Sequence, residues 1–333
     1  MENKKKITIE DVALALGVSK TTVSRAISGK GRVGEATRDR VLQYIQENGY
    51  VPNAIAKSLA SSKTYNIGLS MPEEYSLIDL PFFQKCMMGI CEYAGNNDYD
   101  VVITKTGTDD VSQLARMVDN KKVDGVIISR TLTKDAPVEL LKEKGIPFVT
   151  IGSCNDPEVI QIDNDHESAC AMLTSILFKQ GIEKIALLCG DSTHVVTNNR
   201  CRGFMKALRE AGVKEPEEYV FRETTGNYLE KVVNEILDKE YDCILCMDDS
   251  ICLRVLDILK NEGVEIPKDI KVASFYNSST LERNTPSITS LKFDAKELGV
   301  AAAKVLIDVI NEREVSKKTL LGYEISMKES TRI

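Results

Sequence analysis

ITIEDVALALGVSKTTVSRAI, residues 7–27, predicts two short helices joined by a tight turn. Thr8 can cap the first helix in a capping-box variant with Asp11, and Gly17 is suited to end it. Ser19 can cap the second helix. Apolar residues recur at helical spacing on one face of each helix, so the two faces can share a small core. These residues are Ile9, Val12, Ala13 and Leu16 in the first helix and Val23, Ala26 and Ile27 in the second.

This arrangement is that of a helix-turn-helix, whose second helix enters the major groove of DNA. Polar side chains lie at or near the exposed N-terminal half of that helix, namely Lys20, Thr21, Thr22, Ser24 and Arg25. An amphipathic helix pair from a helical bundle is the alternative for such a pattern. The rest of the sequence favours DNA binding.

Charge separates the N-terminal segment from the remainder of the chain. The whole chain carries a net charge of −7, which alone argues against a nucleic-acid-binding protein. Residues 1–64, however, contain 11 Lys and Arg against 6 Asp and Glu, whereas the remainder contains 32 against 44. A basic excess confined to one small segment is expected when that segment alone meets phosphates.

A third amphipathic helix is predicted from about residue 35 to residue 48, with Gly49 at its end. Its expected buried stripe consists of Val41, Leu42 and Ile45. Three helices around one small core make residues 1–50 an all-α helix-turn-helix domain.

Residues 51–64 form a connecting segment. Asn53 can cap a short helix that runs to about Ala60, and Ser-Ser-Lys-Thr follows as a linker. Because a helix of about two turns is marginal in water, this one needs a partner: DNA, a second copy of itself, or both.

From residue 65 onward apolar strands alternate with helices in two successive series, which predicts parallel sheets covered on both faces. The expected strands are 66–71, 100–104, 125–129 and 148–151 in the first series and 184–189, 219–222, 243–247 and 270–275 in the second. The expected helices are 81–95, 111–120, 136–144, 166–180, 200–211, 228–238 and 250–262. The core is therefore α/β, with two doubly wound subdomains. Ligands of such sheets bind beyond the carboxyl ends of the strands, so we expect a cleft that closes about a hinge.

Composition argues against several other classes of protein. No apolar run approaches a membrane span and the N-terminus lacks a signal peptide, so we expect a cytoplasmic protein. Nine Cys residues fit a reducing compartment. Cys243 and Cys246 form a CxxC, but within a predicted strand they point to opposite faces, which favours core packing over a metal or redox site. We expect no metal and no cofactor.

The chain resembles the LacI/GalR family of bacterial transcriptional regulators over essentially its whole length. The resemblance rests on GVSKTTVSRAIS at 17–28, Tyr50 with Pro52-Asn53, AxxLA at 56–60, VDGVII at 123–128 and RCRGF at 200–204. It is further supported by NIGLSMP and IPKDIKVASF. The family implies a core like periplasmic sugar-binding proteins and an active species that is at least a dimer. It also implies an N-subdomain of about 65–164 plus 296–323 and a C-subdomain of about 165–295 plus 324–333.

The resemblance also implies DNA contacts. Lys20, Thr21 and Arg25 occupy positions that read base edges, and Arg25 suits a guanine. Thr8, Ser19, Thr22, Ser24 and Asn53 correspond to positions that meet phosphates. The helix after Asn53, which includes Ala56, resembles the family's hinge helix, paired with its twin in the minor groove. There Leu59 is either a wedge between base steps or a leucine buried against the core.

For the effector cleft, the resemblance implies Arg200 as the ligand-contacting arginine, with a structural salt bridge as the alternative. Tyr228 matches a ring that stacks on the ligand, or packs in the core. Asp248 and Asp249 match a pair that binds the effector, although Asp249 can instead cap the next helix. Phe82 and Phe83 wall the pocket or merely pack.

Two departures from the family pattern bear on the ligand. Tyr276 and Asn277 stand where an Asp pair or Asp-Asn is common, so a phenol replaces an acceptor of sugar hydroxyls. Gly152-Ser153 stands where an acidic residue is frequent. The effector can therefore differ from a simple neutral hexose.

The sequence predicts a transcriptional regulator, a repressor in the leading interpretation, that binds operator DNA as a homodimer under the control of a small-molecule effector. No leucine heptads follow the C-terminal strand, so we expect no tetramerising coiled coil. A cytoplasmic solute-binding protein is the alternative. An enzyme that uses Asp248, Asp249 and His194 is disfavoured, because adjacent residues at one strand end do not face each other.

Overall fold

The computed structural model describes residues 7–28, 31–50, 61–74, 81–224, 226 and 228–332. The chain divides into two compact units, Met1–Thr64 and Tyr65–Ile333. Each unit has its own hydrophobic core. The two units are therefore stabilised by separate sets of buried apolar side chains.

The first unit contains the three predicted helices, α1 (Ile9–Leu16), α2 (Lys20–Ser28) and α3 (Glu35–Asn48). Thr8 and Asp11 form the expected capping box, since Asp11 N–H donates to Thr8 Oγ1 (3.3 Å) and Thr8 N–H to Asp11 Oδ2 (2.8 Å). Gly17 ends α1 at a φ of 66°, where its N–H reaches the carbonyls of the last turn. Glycine adopts this left-handed conformation without steric cost.

The core of this unit confirms most of the predicted apolar faces. Its buried side chains are Val12, Ala13, Val23, Ala26, Val41 and Tyr50. The prediction for Leu42 is wrong, because 45% of this residue is exposed. Val41 and Ile45 are four residues apart and share a face of α3, whereas Leu42 is rotated about 100° from Val41.

The second unit contains two six-stranded sheets. The first has the order β11-β5-β4-β3-β1-β2, with all neighbours parallel. Its strands are β1 (Asn66–Pro72), β2 (Asp100–Thr106), β3 (Gly125–Ile128), β4 (Phe148–Ile151), β5 (Gln161–Asn164) and β11 (Lys318–Leu321). The helices that accompany it are α4 (Pro81–Asn96), α5 (Ser112–Asp119), α6 (Ala136–Lys144) and α12 (Ala295–Ile310).

The second sheet has the order β12-β10-β9-β8-β6-β7, and only the β10–β12 pair is antiparallel. Its strands are β6 (Ile185–Leu188), β7 (Val220–Phe221), β8 (Cys243–Cys246), β9 (Lys271–Ser274), β10 (Thr289–Lys292) and β12 (Glu324–Ser326). Its helices are α7 (His166–Lys179), α8 (Val195–Glu210), α9 (Tyr228–Asp238), α10 (Asp249–Asn261) and α11 (Ser279–Arg283). Short 3-10 turns lie at Pro216–Tyr219 and Glu329–Thr331. Cys243 and Cys246 are fully buried in β8, as expected of core residues.

Several elements of this unit differ from the sequence-based expectation, including helices α11 and α12, which were not predicted. The strands β5, β10 and β11 were not predicted, since each carries polar residues that mask the apolar run. Helix α8 starts five residues before the predicted 200, at Val195. Its first turn has β-branched and Asn residues of modest helix propensity, so tertiary packing decides its start.

Among the described residues, no helix is long and apolar enough to cross a membrane. Within the same ranges, no group of three or more His, Cys, Asp or Glu side chains is arranged to hold a metal ion.

Candidate functional site

A cavity of about 130 Å³ lies between the two sheets of the second unit, at the carboxyl ends of their strands. This is the location expected for a ligand of doubly wound sheets. Six of the sequence-predicted residues line it: Phe82, Phe83, Arg200, Asp248, Asp249 and Tyr276. Residues that the sequence did not indicate as effector contacts also line it, among them Arg130, Thr131, Gly152, Asp163, His166 and His194.

Arg200 is the buried cation of the cavity. It lies on α8, and only 7% of it is exposed. Its Nη1–H donates to the Met247 carbonyl (2.8 Å) and its Nε–H to His166 Nδ1 (3.4 Å). It forms no ion pair with any carboxylate of the described residues, so the salt-bridge alternative has no partner in this structure. Since an arginine side chain is always charged, its remaining N–H groups can bind an acceptor in the cavity.

Asp163 is the buried anion on the opposite wall, at the end of β5. Its carboxylate accepts from Ser153 N–H and Ser153 Oγ (2.8 Å each), from Asn164 N–H (2.8 Å), and faces His166 Nε2 at 3.4 Å. Burial alone would raise the pKa of Asp163, but His166 and the Ser153 and Asn164 donors hold that pKa below its ordinary value. The carboxylate is thus ionised and fully occupied by protein donors.

Aromatic rings form the apolar part of the wall. The Tyr276 ring stacks on Phe293 (centroids 6.5 Å apart, 15° between planes) and meets the edge of Phe82 at 6.1 Å. The Arg200 guanidinium lies 5.8 Å from the Tyr276 centroid, within the range of a cation–π interaction. Burial raises the pKa of Tyr276, so its phenol stays protonated. Tyr276 therefore contributes a packed aromatic ring and a protonated hydroxyl to the cavity wall.

The capping role suggested as an alternative for Asp249 is wrong, because Asp248 is the N-cap of α10. Asp248 caps α10, because its Oδ1 accepts from Ile251 N–H (2.8 Å). Burial raises the pKa of Asp248. Asp249 is the first residue of α10 and lines the cavity without being the cap.

A backbone bridge closes one side of the cavity between loops of the two sheets. Thr133 N–H donates to the Thr193 carbonyl (2.8 Å) and Val195 N–H to the Thr131 carbonyl (3.3 Å), flanking an isolated antiparallel bridge between Leu132 and His194. One loop follows β3 and the other follows β6. The two loops are consequently hydrogen-bonded to each other in the described conformation.

Arg130, His194 and Glu74 form a polar cluster beside this bridge. Arg130 donates to Glu74 Oε2 (2.8 Å). Burial and the Arg130 charge lower the pKa of His194, against the opposite effects of Asp191 and Glu74. His194 is thus neutral near pH 7.

Gly152 shapes the cavity floor between β4 and the Ser153 turn. Its φ is +111°, and a Cβ there would lie 2.7 Å from Thr131 Oγ1. A side chain at this position is therefore strained in the described conformation.

Two predicted effector residues lie outside the cavity wall. Tyr228 begins α9 and is 53% exposed. Asn277 donates from Nδ2 to Glu282 Oε1 (2.9 Å), and it does not line the cavity.

The candidate DNA-contacting side chains lie along the exposed face of α2. Ser19 caps this helix, accepting from Thr22 N–H at 3.0 Å. Lys20 pairs with Glu10 of α1, and both are exposed. Thr21, Ser24 and Arg25 are exposed, as is Thr8. The remaining predicted contacts, Asn53, Ala56 and Leu59, lie outside the residues that the structure describes.

Three cavity residues that the sequence analysis missed, Arg130, Asp163 and His166, lie near strand ends, and this position could have indicated them. Arg130 directly follows a predicted strand, and a ligand-binding loop is expected there. Asp163 lies in β5 and His166 follows it, but the polar sequence QIDN concealed this strand. Had that strand been recognised, both would have been placed at the cleft.

Comparison with known proteins gives matches over nearly the whole chain. Residues 8–53 match a family model described as bacterial regulatory proteins, lacI family, and residues 64–328 match periplasmic binding proteins and sugar binding domain of LacI family. The HTH-type transcriptional regulator MalR of Streptococcus pneumoniae is 30% identical over 94% of this chain and 95% of its own length. The regulator RegA of Clostridium saccharobutylicum is 28% identical over 97% and 99%.

Solved structures agree with this match. A complex of the transcriptional regulator CelR with cellobiose superimposes with a TM-score of 0.74 at 27% identity, covering 97% of this chain and 99% of that one. The lac repressor dimer bound to operator, at 22% identity, has a TM-score of 0.78 over 98% and 99% of the two chains and shows the shared fold. These proteins are regulators rather than enzymes.

Proposed function

The chain belongs to the LacI family of bacterial regulatory proteins, and from this premise we propose which of its residues carry operator binding and effector control. As a member it is a DNA-binding transcriptional regulator with an effector-binding core. We assign it the role of a repressor that binds a pseudo-palindromic operator as a homodimer in the cytoplasm. The single observation that carries the effector assignment is the buried Arg200, which lines the cavity and has no carboxylate partner among the described residues.

DNA reading is assigned to the exposed face of α2. Lys20, Thr21 and Arg25 read base edges, while Thr8, Ser19, Thr22 and Ser24 hold phosphates. The exposure of these side chains, apart from the half-buried Thr22, on a unit with a basic excess supports this assignment. Asn53, Ala56 and Leu59 are assigned to a hinge segment that meets the minor groove.

The effector is a sugar or a related metabolite in the cavity. Arg200 supplies hydrogen-bond donors, Asp248 an acceptor, and Phe82, Phe83 and Tyr276 supply apolar walls. Sugars present hydroxyls around apolar C–H faces, which such a mixture of arginine and rings can bind. Tyr228 and Asn277 remain assigned as further contacts, and they require a change of shape in the core to reach the cavity.

We divide the core as the sequence suggested, into an N-subdomain of about 65–164 plus 296–323 and a C-subdomain of about 165–295 plus 324–333. Residues 1–50 are the DNA-binding domain and 51–64 the hinge and linker. Because the effector must bind two states of the core unequally to control DNA affinity, the coupling is reciprocal.

The assignment of roles is tested by deletion of residues 1–60. DNA fragments bound by the full chain are first selected from random sequence. The deletion should abolish binding to them, whereas sugar-dependent thermal stabilisation of the remaining core should persist. Sequence-specific DNA binding by the shortened chain would disprove the assignment. Arg200→Lys in the full chain should instead abolish the sugar-dependent stabilisation and leave DNA selection intact.

A further inference from the structure

His166 lies between the buried anion and the buried cation of the cavity. It is the first residue of α7, and only 5% of it is exposed. Its Nε2 is 3.4 Å from Asp163 Oδ1, and its Nδ1 accepts from Arg200 Nε–H at 3.4 Å. The three side chains come from β5, α7 and α8 and form one continuous chain of polar contacts.

The direction of these hydrogen bonds fixes the protonation of the ring. An arginine only donates, so Nδ1 must carry a lone pair and the proton of the neutral ring must lie on Nε2, which faces Asp163 Oδ1. The charged groups that face the ring are Asp163, Asp165 and Arg200. Burial and Arg200 lower the pKa of His166, against the opposite effects of Asp163 and Asp165. The imidazole is therefore neutral in the folded core at neutral pH.

The surroundings hold the ring and the guanidinium in place. The Phe293 ring meets the imidazole at 4.7 Å between centroids and 62° between planes. Helices α7 and α8 approach closely at Gly203, where a Cβ would lie 2.3 Å from the Glu167 carbonyl oxygen. This contact brings Arg200, on the same helix as Gly203, within reach of His166.

We propose that His166 is a positioning residue: its neutral imidazole, anchored by Asp163, accepts from Arg200 Nε–H and so directs the rest of the guanidinium into the cavity. This inference rests on the proposed function, in which the cavity holds the effector. His166 thereby fixes the orientation of the Arg200 N–H groups that bind the effector. Protonation of Nδ1 removes the acceptor and places a second positive charge against Arg200. Binding at the cavity should thus weaken as the pH falls.

The test uses the full-length chain with ¹⁵N-labelled histidine and arginine. The chain has two histidines, so one variant assigns both sets of ring signals. At pH 7.5 His166 should be neutral with its proton on Nε2. Exchange of the Arg200 Nε–H with water should become about tenfold faster in His166→Phe, which keeps the packing on Phe293 and removes the acceptor. His166→Asn, whose Oδ1 can replace Nδ1, should retain most of the protection.

Glu167→Gln is the matched control. Glu167 follows His166 on α7 and pairs with Arg202 on α8 at 3.2 Å, but both side chains are exposed. This change should leave the exchange of Arg200 as in the wild type. A proton on Nδ1, a charged His166 at pH 7.5, or equal exchange rates in folded His166→Phe and the wild type would overturn the inference. If His166→Phe does not fold, the inference is tested by the ring signals of the wild type and by the exchange rate of Arg200 Nε–H in His166→Asn.

Calorimetry with cellobiose and maltose as probes separates this inference from the proposed function. A sugar that binds the wild type should bind His166→Phe about tenfold more weakly, and its affinity should fall between pH 7.5 and 5.5 in the wild type but not in His166→Asn. Equal binding by the wild type and His166→Phe contradicts the positioning role and leaves the effector cavity standing. If neither sugar binds, the sugar assignment fails, and the positioning role of His166 is then tested by the exchange rates of Arg200 Nε–H alone.

Discussion

The exposed face of α2 and the wall of the cavity are both built from polar side chains, but they hold these side chains in opposite ways. On α2 the candidate contacts are near neighbours in sequence and lie in solvent. In the cavity they come from strand ends and helix starts far apart in the chain, and Asp163, His166 and Arg200 are each at most 7% exposed. A buried polar group must have partners. Substitutions in the wall should therefore affect folding, whereas those on α2 should affect only DNA binding.

The largest expected effect is that of Asp163→Ala. This change leaves the donors of Ser153, Asn164 and His166 without their acceptor. We expect a loss of about 3–5 kcal/mol in the free energy of unfolding of the core, since removal of one member of a buried charged network costs this much. Chemical denaturation of the full chain measures it, and hydrogen exchange by mass spectrometry shows whether residues 7–50 stay protected.

Glu92→Ala is the control for Asp163→Ala. Glu92 pairs with Lys296 at 2.7 Å, and both side chains are more than half exposed. Its loss should cost less than about 1 kcal/mol. Equal losses for the two variants would mean that burial of the wall contributes nothing to its stability.

A fall in pH should destabilise the core that contains the cavity through its histidines, which the N-terminal unit lacks. Both histidines of the chain, His166 and His194, line the cavity, and residues 1–64 contain none. Burial lowers both pKa values in the folded state, so the unfolded chain takes up protons first as the pH falls below about 6.5. Stability is thus present above that pH and is lost below it, by up to about 1.4 kcal/mol per pH unit for each histidine.

The histidine contribution is obtained as a difference between variants. Asp248, whose pKa is raised by burial, acts in the opposite direction, so the wild-type curve alone mixes the two. Between pH 7.5 and 5.5 the wild-type core should lose stability relative to His166→Asn. Parallel curves would show that His166 does not titrate in this window.

Two glycines allow the same substitution in each region. Gly17 and Gly152 both have positive φ, but a Cβ at Gly17 meets nothing within 4 Å, whereas at Gly152 it lies 2.7 Å from Thr131 Oγ1. Gly17→Ala should cost about 1 kcal/mol, from backbone strain alone. Gly152→Ala should cost about 2–3 kcal/mol, because steric overlap adds to the strain. Thermal unfolding followed at each region measures both, and equal costs would show that the Thr131 side chain moves away freely.

The same contrast explains how much could be predicted from sequence. The Thr8–Asp11 box, the Gly17 end and the Ser19 cap are local, so the residues that specify them are adjacent, and all three were predicted. The two doubly wound subdomains could also be predicted, because apolar strands alternate with helices along the sequence. The predicted burial of Leu42 was wrong, because a residue directly after Val41 is rotated about 100° around α3 and away from the core. The chain Asp163–His166–Arg200 could not be predicted, since it requires the register of β5 against β4 and the approach of α7 to α8.

Arg25→Ala should have the smallest effect on folding and a selective effect on DNA. Arg25 is exposed on α2, so the free energy of unfolding should change by no more than about 0.5 kcal/mol. If Arg25 reads a guanine, discrimination at one base pair of each half-site should fall by about 1–3 kcal/mol. Arg32→Ala removes the same charge from the exposed loop after α2, and it should weaken binding to all sequences uniformly. Competition binding with single-base variants of a selected site separates the two, because a uniform loss for Arg25→Ala would make Arg25 a phosphate contact.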